Sequence, residues 1–195
     1  MNRKKFFWLL IIITAFITAS CQTAEFSFKT MDIHGMVYDF SNRPVAHCEI
    51  SLGSNLNSVT DINGRFSLPK VQVGIYTLTA NKKGFENYKG EVAIRDRGQI
   101  IYLRMPSQNQ LLDLIDEALT ANDLNLAGEL AERAYQIDKN NIEMLFYFAT
   151  VKFRQNEYQK ALNLLVTAKS LGTKDIFVDK FLLVLWGRQD AKNNN

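Results

Sequence analysis

Few side chains of this sequence have the chemistry of a catalytic or metal-binding site. Its 195 residues include only two Cys and two His. His47, Cys48 and Glu49 are consecutive, and a His-x-Glu pair occurs in zinc deaminases, but the Pro-Cys-x-x-Cys that completes their site is missing. Because alternate side chains of a strand point to opposite faces, Cys48 is predicted to point inward, away from His47. We therefore expect no zinc site here.

Other motifs also argue against catalysis. Asp61-x-Asn63-Gly64 resembles the start of a calcium loop but lacks the spaced oxygen ligands and the final Glu, and it predicts a hairpin turn. The sequence has no His-x-x-Glu pair, Gly-x-Ser-x-Gly, phosphate loop or dinucleotide fingerprint. We therefore predict a protein that is not an enzyme and has no cofactor, although the 20 acidic residues leave a carboxylate-only site open.

The charge distribution argues against nucleic-acid binding. The chain has 23 Lys+Arg and 20 Asp+Glu, a formal net charge of +3. Arg3, Lys4 and Lys5 account for this excess, so the rest of the chain is neutral. A neutral body lacks the basic surface that attracts phosphate backbones. With 47% hydrophobic and 22% charged residues, the composition is that of a globular protein.

The N-terminus has the pattern of an export signal. Its basic start is followed by an apolar run over 6–19, which is shorter than the roughly 20 residues that span a bilayer. Residues 1–20 are therefore predicted to be a signal peptide. It ends in small residues before a cysteine, Thr18-Ala19-Ser20-Cys21.

This ending resembles the signal of bacterial lipoproteins, which implies cleavage before Cys21 and acylation of its thiol. An ordinary cleaved signal and an uncleaved anchor are the alternatives. Several acyl chains on one residue hold a protein firmly to a membrane. Residues 21–31 would form the lipidated cysteine and a tether. The resemblance implies a membrane-anchored protein of the bacterial cell envelope, and Gln22 in place of Asp favours the outer membrane in a diderm.

Residues 32–105 contain short strand-like runs separated by turn residues, without a helical period. We predict about seven strands packed as a β-sandwich. The clearest runs lie around 33–37, 45–52, 65–68, 74–80, 88–94 and 100–105.

The turn glycines and inward apolar residues of this segment also form a recognisable series: Gly35-x-Val37-x-Asp39, Pro44-Val45, Thr60-Asp61-x-x-Gly64-x-Phe66, Gly74-x-Tyr76-x-Leu78 and Gly84-Phe85. The series resembles the carboxypeptidase regulatory-like domain. The resemblance implies a transthyretin-like or Ig-like sandwich over 32–105. The shared positions make the fold, so they imply no reaction.

A helical domain is predicted over 107–189, followed by a polar tail at 190–195. Pro106 ends the last strand, and Ser107-x-x-Gln110 has the spacing of a capping box. Apolar residues then recur at helical spacing, with Gly172 as a C-cap and Thr173 as an N-cap. The predicted helices lie near 108–120, 124–137, 142–154, 157–171 and 174–188.

The helical domain also has an internal period. Asn122 and Asn156 lie 34 residues apart, as do Ala127 and Ala161. Thirty-four residues is the tetratricopeptide period, and the small residues resemble those of its second helix. Such repeats bind peptides or proteins with their first helices, which implies a partner-binding face at Asp116, Glu143, Phe146, Thr150, Phe153 and Arg154.

Two alternatives to this face stay open. Phe146 and Phe153 would otherwise pack against the helix at 174–188 or against the sandwich, and the helices would otherwise form a bundle without a binding function. For the whole chain we predict a non-catalytic envelope lipoprotein that acts as a protein–protein interaction adaptor or scaffold. The alternatives are an accessory subunit of an envelope peptidase, or a module that binds a glycan or peptide through Tyr38, Tyr88 and Tyr102.

Overall fold

The computed structural model describes residues 30–173 and 176–193, and for 188–193 it describes the backbone only. The predicted signal peptide, Cys21 and the tether up to residue 29 lie outside the described residues. Within them, seven strands precede five helices. The strands are β1 (Thr30–Tyr38), β2 (Glu49–Leu52), β3 (Leu56–Val59), β4 (Arg65–Gln72), β5 (Gly74–Asn81), β6 (Tyr88–Ile94) and β7 (Ile100–Arg104).

The strands form two sheets that pack face to face, which confirms the predicted sandwich. One sheet has the order β4-β1-β7 and the other β3-β2-β5-β6. β1 runs parallel to β7, whereas the other neighbouring strands are antiparallel. Alternate residues of each sheet point into one core, whose fully buried members include Ile33, Ile50, Leu52, Leu68, Leu78 and Ile94.

The second strand is shorter than predicted. The pattern of 45–52 predicts a strand over its whole length, but β2 begins only at Glu49. His47 has a left-handed backbone (φ 53°), which interrupts the extended chain. Thr60 compensates, because its hydroxyl accepts a hydrogen bond from the Cys48 N–H (2.8 Å) and donates one to the Val45 carbonyl (2.7 Å). Cys48 is fully buried, as the alternation predicts.

The start of the sandwich also differs from the prediction. β1 begins at Thr30, within the predicted tether, and Thr30 and Met31 already pair with Gln72 and Val71 of β4. The turn at 61–64 is confirmed, and Gly64 has a left-handed conformation (φ 72°), which glycine adopts at no steric cost.

The helices agree closely with the predicted ranges. They are α1 (Gln108–Thr120), α2 (Leu124–Ile137), α3 (Ile142–Arg154), α4 (Tyr158–Ser170) and α5 (Ile176–Asn193). The capping box of Ser107 and Gln110 is confirmed. The last helix ends at Asn193 rather than at 188, so 190–193 are helical. The predicted cap at Thr173 adjoins residues 174–175, which lie outside the described part.

Positions 34 residues apart are structurally equivalent. Asn122 and Asn156 both have left-handed backbones (φ 59° and 63°) in the turns that end α1 and α3. Ala127 and Ala161 are both fully buried near the starts of α2 and α4. The helical domain therefore contains two similar helix pairs and a fifth helix, while its assignment to the tetratricopeptide class stays a prediction.

The two domains are joined by backbone and side-chain bonds. The Gln108 N–H donates to the Gly84 carbonyl and the Glu86 N–H donates to the Pro106 carbonyl, each at 2.9 Å. Arg133 of α2 donates two hydrogen bonds to the Glu86 carboxylate, at 2.8 and 2.7 Å. These contacts fix the start of α1 against the sandwich.

Asp39 organises the turn after β1, and its role predicts a dependence of stability on pH. Its carboxylate accepts hydrogen bonds from the Ser41 N–H and from the Arg43 N–H and Nε, all between 2.8 and 2.9 Å. Burial by itself raises the pKa of Asp39, but the bonds from Arg43 and Ser41 outweigh it and hold that pKa below 3.8. The stabilisation by these bonds is therefore present above the pKa that Asp39 has in the unfolded chain. It is lost as the pH falls through the lower pKa that Asp39 has in the folded protein.

We expect Asp39→Asn to lower the free energy of unfolding by about 2 kcal/mol at pH 7, since the remaining bonds lose their charged acceptor and the amide Nδ2 cannot accept the bond from Arg43 Nε. The difference from the wild type should shrink towards pH 3. Urea unfolding at both pH values measures it, with the exposed Asp113→Asn as the control. An Asp39→Asn effect of equal size at both pH values would contradict this role.

Candidate interaction surface of the helical domain

The predicted partner-binding residues lie on α1 and α3, but the two phenylalanines have neighbours in α5. The Phe146 ring lies 6.0 Å from that of Phe181, centroid to centroid, and the Phe153 ring lies 5.2 Å from Phe181 and 5.5 Å from Tyr158. All four rings are half-buried. Phe146 and Phe153 therefore pack against the last helix, the alternative left open above, and each keeps an accessible edge.

Arg154 and Thr150 make bonds within the helical domain. The Arg154 guanidinium donates to the Leu119 carbonyl (2.6 Å) and to Asn122 Oδ1 (2.8 Å). It thus caps the end of α1 and links the two helix pairs. The Thr150 hydroxyl donates to the Phe146 carbonyl one turn earlier, at 3.0 Å. Both side chains therefore have structural roles within the helical domain, and their contact with a partner stays a prediction.

Asp116 of α1 and Glu143 of α3 remain exposed, and Tyr147 of α3 is half-buried. Burial, followed by the negative charges of Asp116, Glu143 and Asp113, raises the pKa of Tyr147. Three carboxylates from two helices therefore act on one half-buried phenol. We call Asp113, Asp116, Glu143 and Tyr147 the acidic face.

The sequence analysis missed Asp113 and Tyr147. Their spacing was available as a signal, because Asp113 and Asp116 are three residues apart on α1, and Glu143 and Tyr147 are four apart on α3. Such pairs share one side of a helix. The spacing does not predict that α1 packs beside α3, and it is this packing that brings the two pairs together.

The sandwich residues with reactive side chains are kept apart. His47 is exposed, whereas Cys48 is fully buried with its Sγ 3.7 Å from Met105 Sδ. Burial raises the pKa of the Cys48 thiol, which favours the protonated, unreactive form. Within the described residues, no three His, Cys, Asp or Glu side chains are grouped as metal ligands.

A cleft of about 610 Å³ lies between the sandwich and α2. Two of its three Lys and Arg side chains already have partners, the third being Lys83. Lys82 donates to the Ala46 carbonyl and lies over the Phe85 ring, and Arg133 is paired with Glu86. The volume of the cleft suits a small ligand, but its lining residues do not indicate the chemical class of that ligand.

None of the helices in the described ranges is long and apolar enough to cross a bilayer.

Comparison with known proteins identifies the sandwich. Residues 32–101 match the family model of the carboxypeptidase regulatory-like domain, so this part of the chain is a domain of that family. The helical domain lies outside the match. No curated protein matches the sequence.

Solved structures match the chain only partly. A mutant type II cohesin–X-dockerin complex from Acetivibrio cellulolyticus matches with 18% identity and a TM-score of 0.35, over 42% of this chain and 60% of that one. Catechol 1,2-dioxygenase from Pseudomonas arvilla C-1 matches with 11% identity and a TM-score of 0.35, over 44% and 54%. The major pilin subunit BcpA of Bacillus cereus matches with 15% identity and a TM-score of 0.33, over 40% and 29%. No activity or partner is transferred from these structures.

Proposed function

We propose that this protein is a non-catalytic adaptor or scaffold of the bacterial cell envelope, anchored to a membrane by acyl chains on Cys21. Its helical domain would bind a protein or peptide partner. The observation that carries the proposal is the acidic face, which combines an aromatic side chain with exposed carboxylates from two helices. Tyrosine is a frequent anchor of protein interfaces, and surface charge steers and selects partners. The partner would present Lys or Arg side chains to this face.

The proposed function is non-catalytic because the chain has few side chains of the types that catalyse reactions. The chain has two His and two Cys, and His47 is exposed whereas its neighbour Cys48 is fully buried. A nucleophile with an adjacent base is the usual requirement for hydrolytic chemistry.

The partner site is tested by charge reversal, because Asp116 and Glu143 are exposed and their replacement leaves the packing intact. Truncating Phe146, Phe153 or Arg154 would instead loosen α1, α3 and α5. We expect Asp116→Lys/Glu143→Lys to reduce partner capture from detergent-solubilised native envelope by at least about tenfold, through lost attraction and new repulsion.

The control for this experiment is Glu91→Lys/Glu129→Lys, which makes the same charge change on β6 and on α2, away from the acidic face. Circular dichroism should show that both variants fold. Capture that survives the reversal at Asp116 and Glu143 but is lost in the control would contradict the site. A peptidase as the captured protein would make the chain an accessory subunit.

The proposed lipid anchor is tested by measuring the intact mass of the protein. The membrane-extracted protein should have the mass of the chain cut before Cys21 plus its acyl chains. Cys21→Ser should leave the membrane fraction, whereas Cys48→Ala should stay in it because the Cys48 thiol is buried. An uncut, unmodified N-terminus would rule out lipidation without affecting the proposed partner site.

A further inference from the structure

The outer face of the three-stranded sheet carries aromatic and basic side chains in register. Met36, at the centre of β1, lies opposite Arg65 of β4 on one side and Tyr102 of β7 on the other. Tyr38 lies opposite Arg104. Since alternate residues share a face, these side chains point away from the core. We call this set, together with Ile100, the tyrosine face: Met36, Tyr38, Arg65, Ile100, Tyr102 and Arg104.

The tyrosine face is accessible and partly fixed in place. The Tyr102 side chain is 65% exposed and that of Ile100 is 50% exposed. The Tyr38 hydroxyl donates to Met36 Sδ at 3.4 Å, and Arg104 donates to Asn42 Oδ1 at 2.6 Å. Neighbouring strands lie about 5 Å apart and alternate residues about 7 Å apart, so these side chains form one continuous platform on the surface of the sheet.

The charge of this platform is positive. Arg65 and Arg104 lie on opposite sides of the two tyrosines, on the outer strands of the sheet. Among the outward side chains of these three described strands, the one carboxylate is Asp32, which lies further along β1 and accepts a hydrogen bond from the Lys70 N–H. The strand residues of the tyrosine face therefore present no carboxylate to an anionic ligand, and the nearby Asp61 carboxylate, in the turn before β4, accepts the Arg65 N–H at 2.8 Å.

We propose that the tyrosine face binds an acidic oligosaccharide. The faces of Tyr102 and Tyr38 would pack against the C–H faces of successive sugar rings, since aromatic rings offer a large apolar surface with a polar hydroxyl at one end. The guanidinium groups of Arg65 and Arg104 would hold the sugar carboxylates, because the planar fork of arginine matches a carboxylate with two parallel hydrogen bonds. This site is independent of the partner site proposed for the helices.

The combination of aromatic rings with positive charge favours this ligand over the other classes that such a surface could recognise. A neutral glycan would leave both guanidinium groups without a negative counter-charge. Single-stranded nucleic acid also combines rings with negative charge, but its binding relies on an extended basic groove, and the chain beyond its first residues is neutral. Nucleic acid is therefore the alternative that the experiment has to separate.

The test is calorimetric titration of the full-length chain in detergent with a galacturonic acid hexamer. Cellohexaose serves as the neutral counterpart and a thymidine hexanucleotide as the nucleic-acid counterpart. We expect the galacturonate hexamer to bind at least about tenfold more tightly than cellohexaose. This difference in affinity should decrease as salt is added. Absence of binding by the acidic hexamer, or tighter binding of the oligonucleotide, would overturn the proposal.

Variants locate the site. Tyr102→Ala should weaken binding of the galacturonate hexamer about tenfold while Tyr102→Phe retains it, because the ring provides the contact. Arg65→Ala/Arg104→Ala should abolish the preference for the acidic over the neutral hexamer. Trp186→Ala, at an exposed aromatic residue of α5, and Arg95→Ala are the matched controls. Equal affinity of the wild type and Tyr102→Ala would place any binding elsewhere and overturn the proposal.

Discussion

Replacement of Gly35 by alanine is expected to lower the free energy of unfolding by about 3 kcal/mol. Gly35 lies in the central strand β1, where it pairs with Phe66 and Ile101 of the neighbouring strands. A Cβ at this position would lie 2.2 Å from Phe66 Cζ and 2.7 Å from the Ile101 carbonyl oxygen. The ring would have to leave the core, and the carbonyl can retreat only if β7 moves away from β1.

The measurement is urea unfolding followed by circular dichroism, with Gly74→Ala as the control. Gly74 also lies in a strand, but a Cβ there would be 3.3 Å from the nearest atom, Cε2 of the Tyr76 ring. We expect that change to cost less than about 1 kcal/mol. Gly35→Ala/Phe66→Leu should recover part of the loss, because it removes the ring and leaves the carbonyl contact. A Gly35→Ala protein as stable as Gly74→Ala would contradict this account.

The parts of the fold that follow from local patterns were predictable. The helix starts depend on neighbours in sequence, as at Ser107 and Gln110, and left-handed Asn122 and Asn156 mark the turns. The burial of Cys48 follows from alternation alone. By contrast, the late start of β2 accompanies the left-handed backbone of His47, and the hydroxyl that compensates for it belongs to Thr60, twelve residues away from Cys48, which no local pattern contains.

The candidate site was less predictable than the fold. Helical spacing predicts on which side of a helix a residue lies, but not which other element packs against that side. Phe146 and Phe153 were correctly placed on one side of α3, yet Phe181 of α5 packs against both rings. Arg154 was expected to face a partner, and the spacing gave no sign that it also caps α1. Tyr147 belongs to the acidic face only because α1 packs beside α3, a tertiary contact between helices from different repeats.

Gln108 is a second position where a small chemical change should have a large effect. Its side chain is buried at the meeting point of α1, α2 and α3. The amide donates to the carbonyls of Ala134 (2.9 Å) and Asp138 (3.2 Å) and accepts from Asn141 Nδ2 (2.8 Å). The two carbonyls belong to the end of α2, where intrahelical partners are lacking.

Gln108→Met keeps the length and helix propensity of the side chain but removes all three bonds. We expect it to lower the free energy of unfolding by about 3 kcal/mol, since buried polar groups lose their partners. Gln136→Met is the control, because Gln136 is exposed and donates only to Glu132 within its own helix. Its effect should stay within about 0.5 kcal/mol. Equal stability of the two variants in urea would show that the Gln108 bonds add nothing to the fold.

The same substitution links the fold to the proposed partner site. Asn141 also caps α3 through its Oδ1, which accepts from the Met144 N–H at 3.0 Å, so Gln108 orients the residue that starts the helix carrying Glu143 and Tyr147. Loss of this support should loosen α3 against α1 and separate the carboxylates of the acidic face. Gln108→Met should therefore weaken partner capture under conditions where the protein is still folded, whereas Gln136→Met should not.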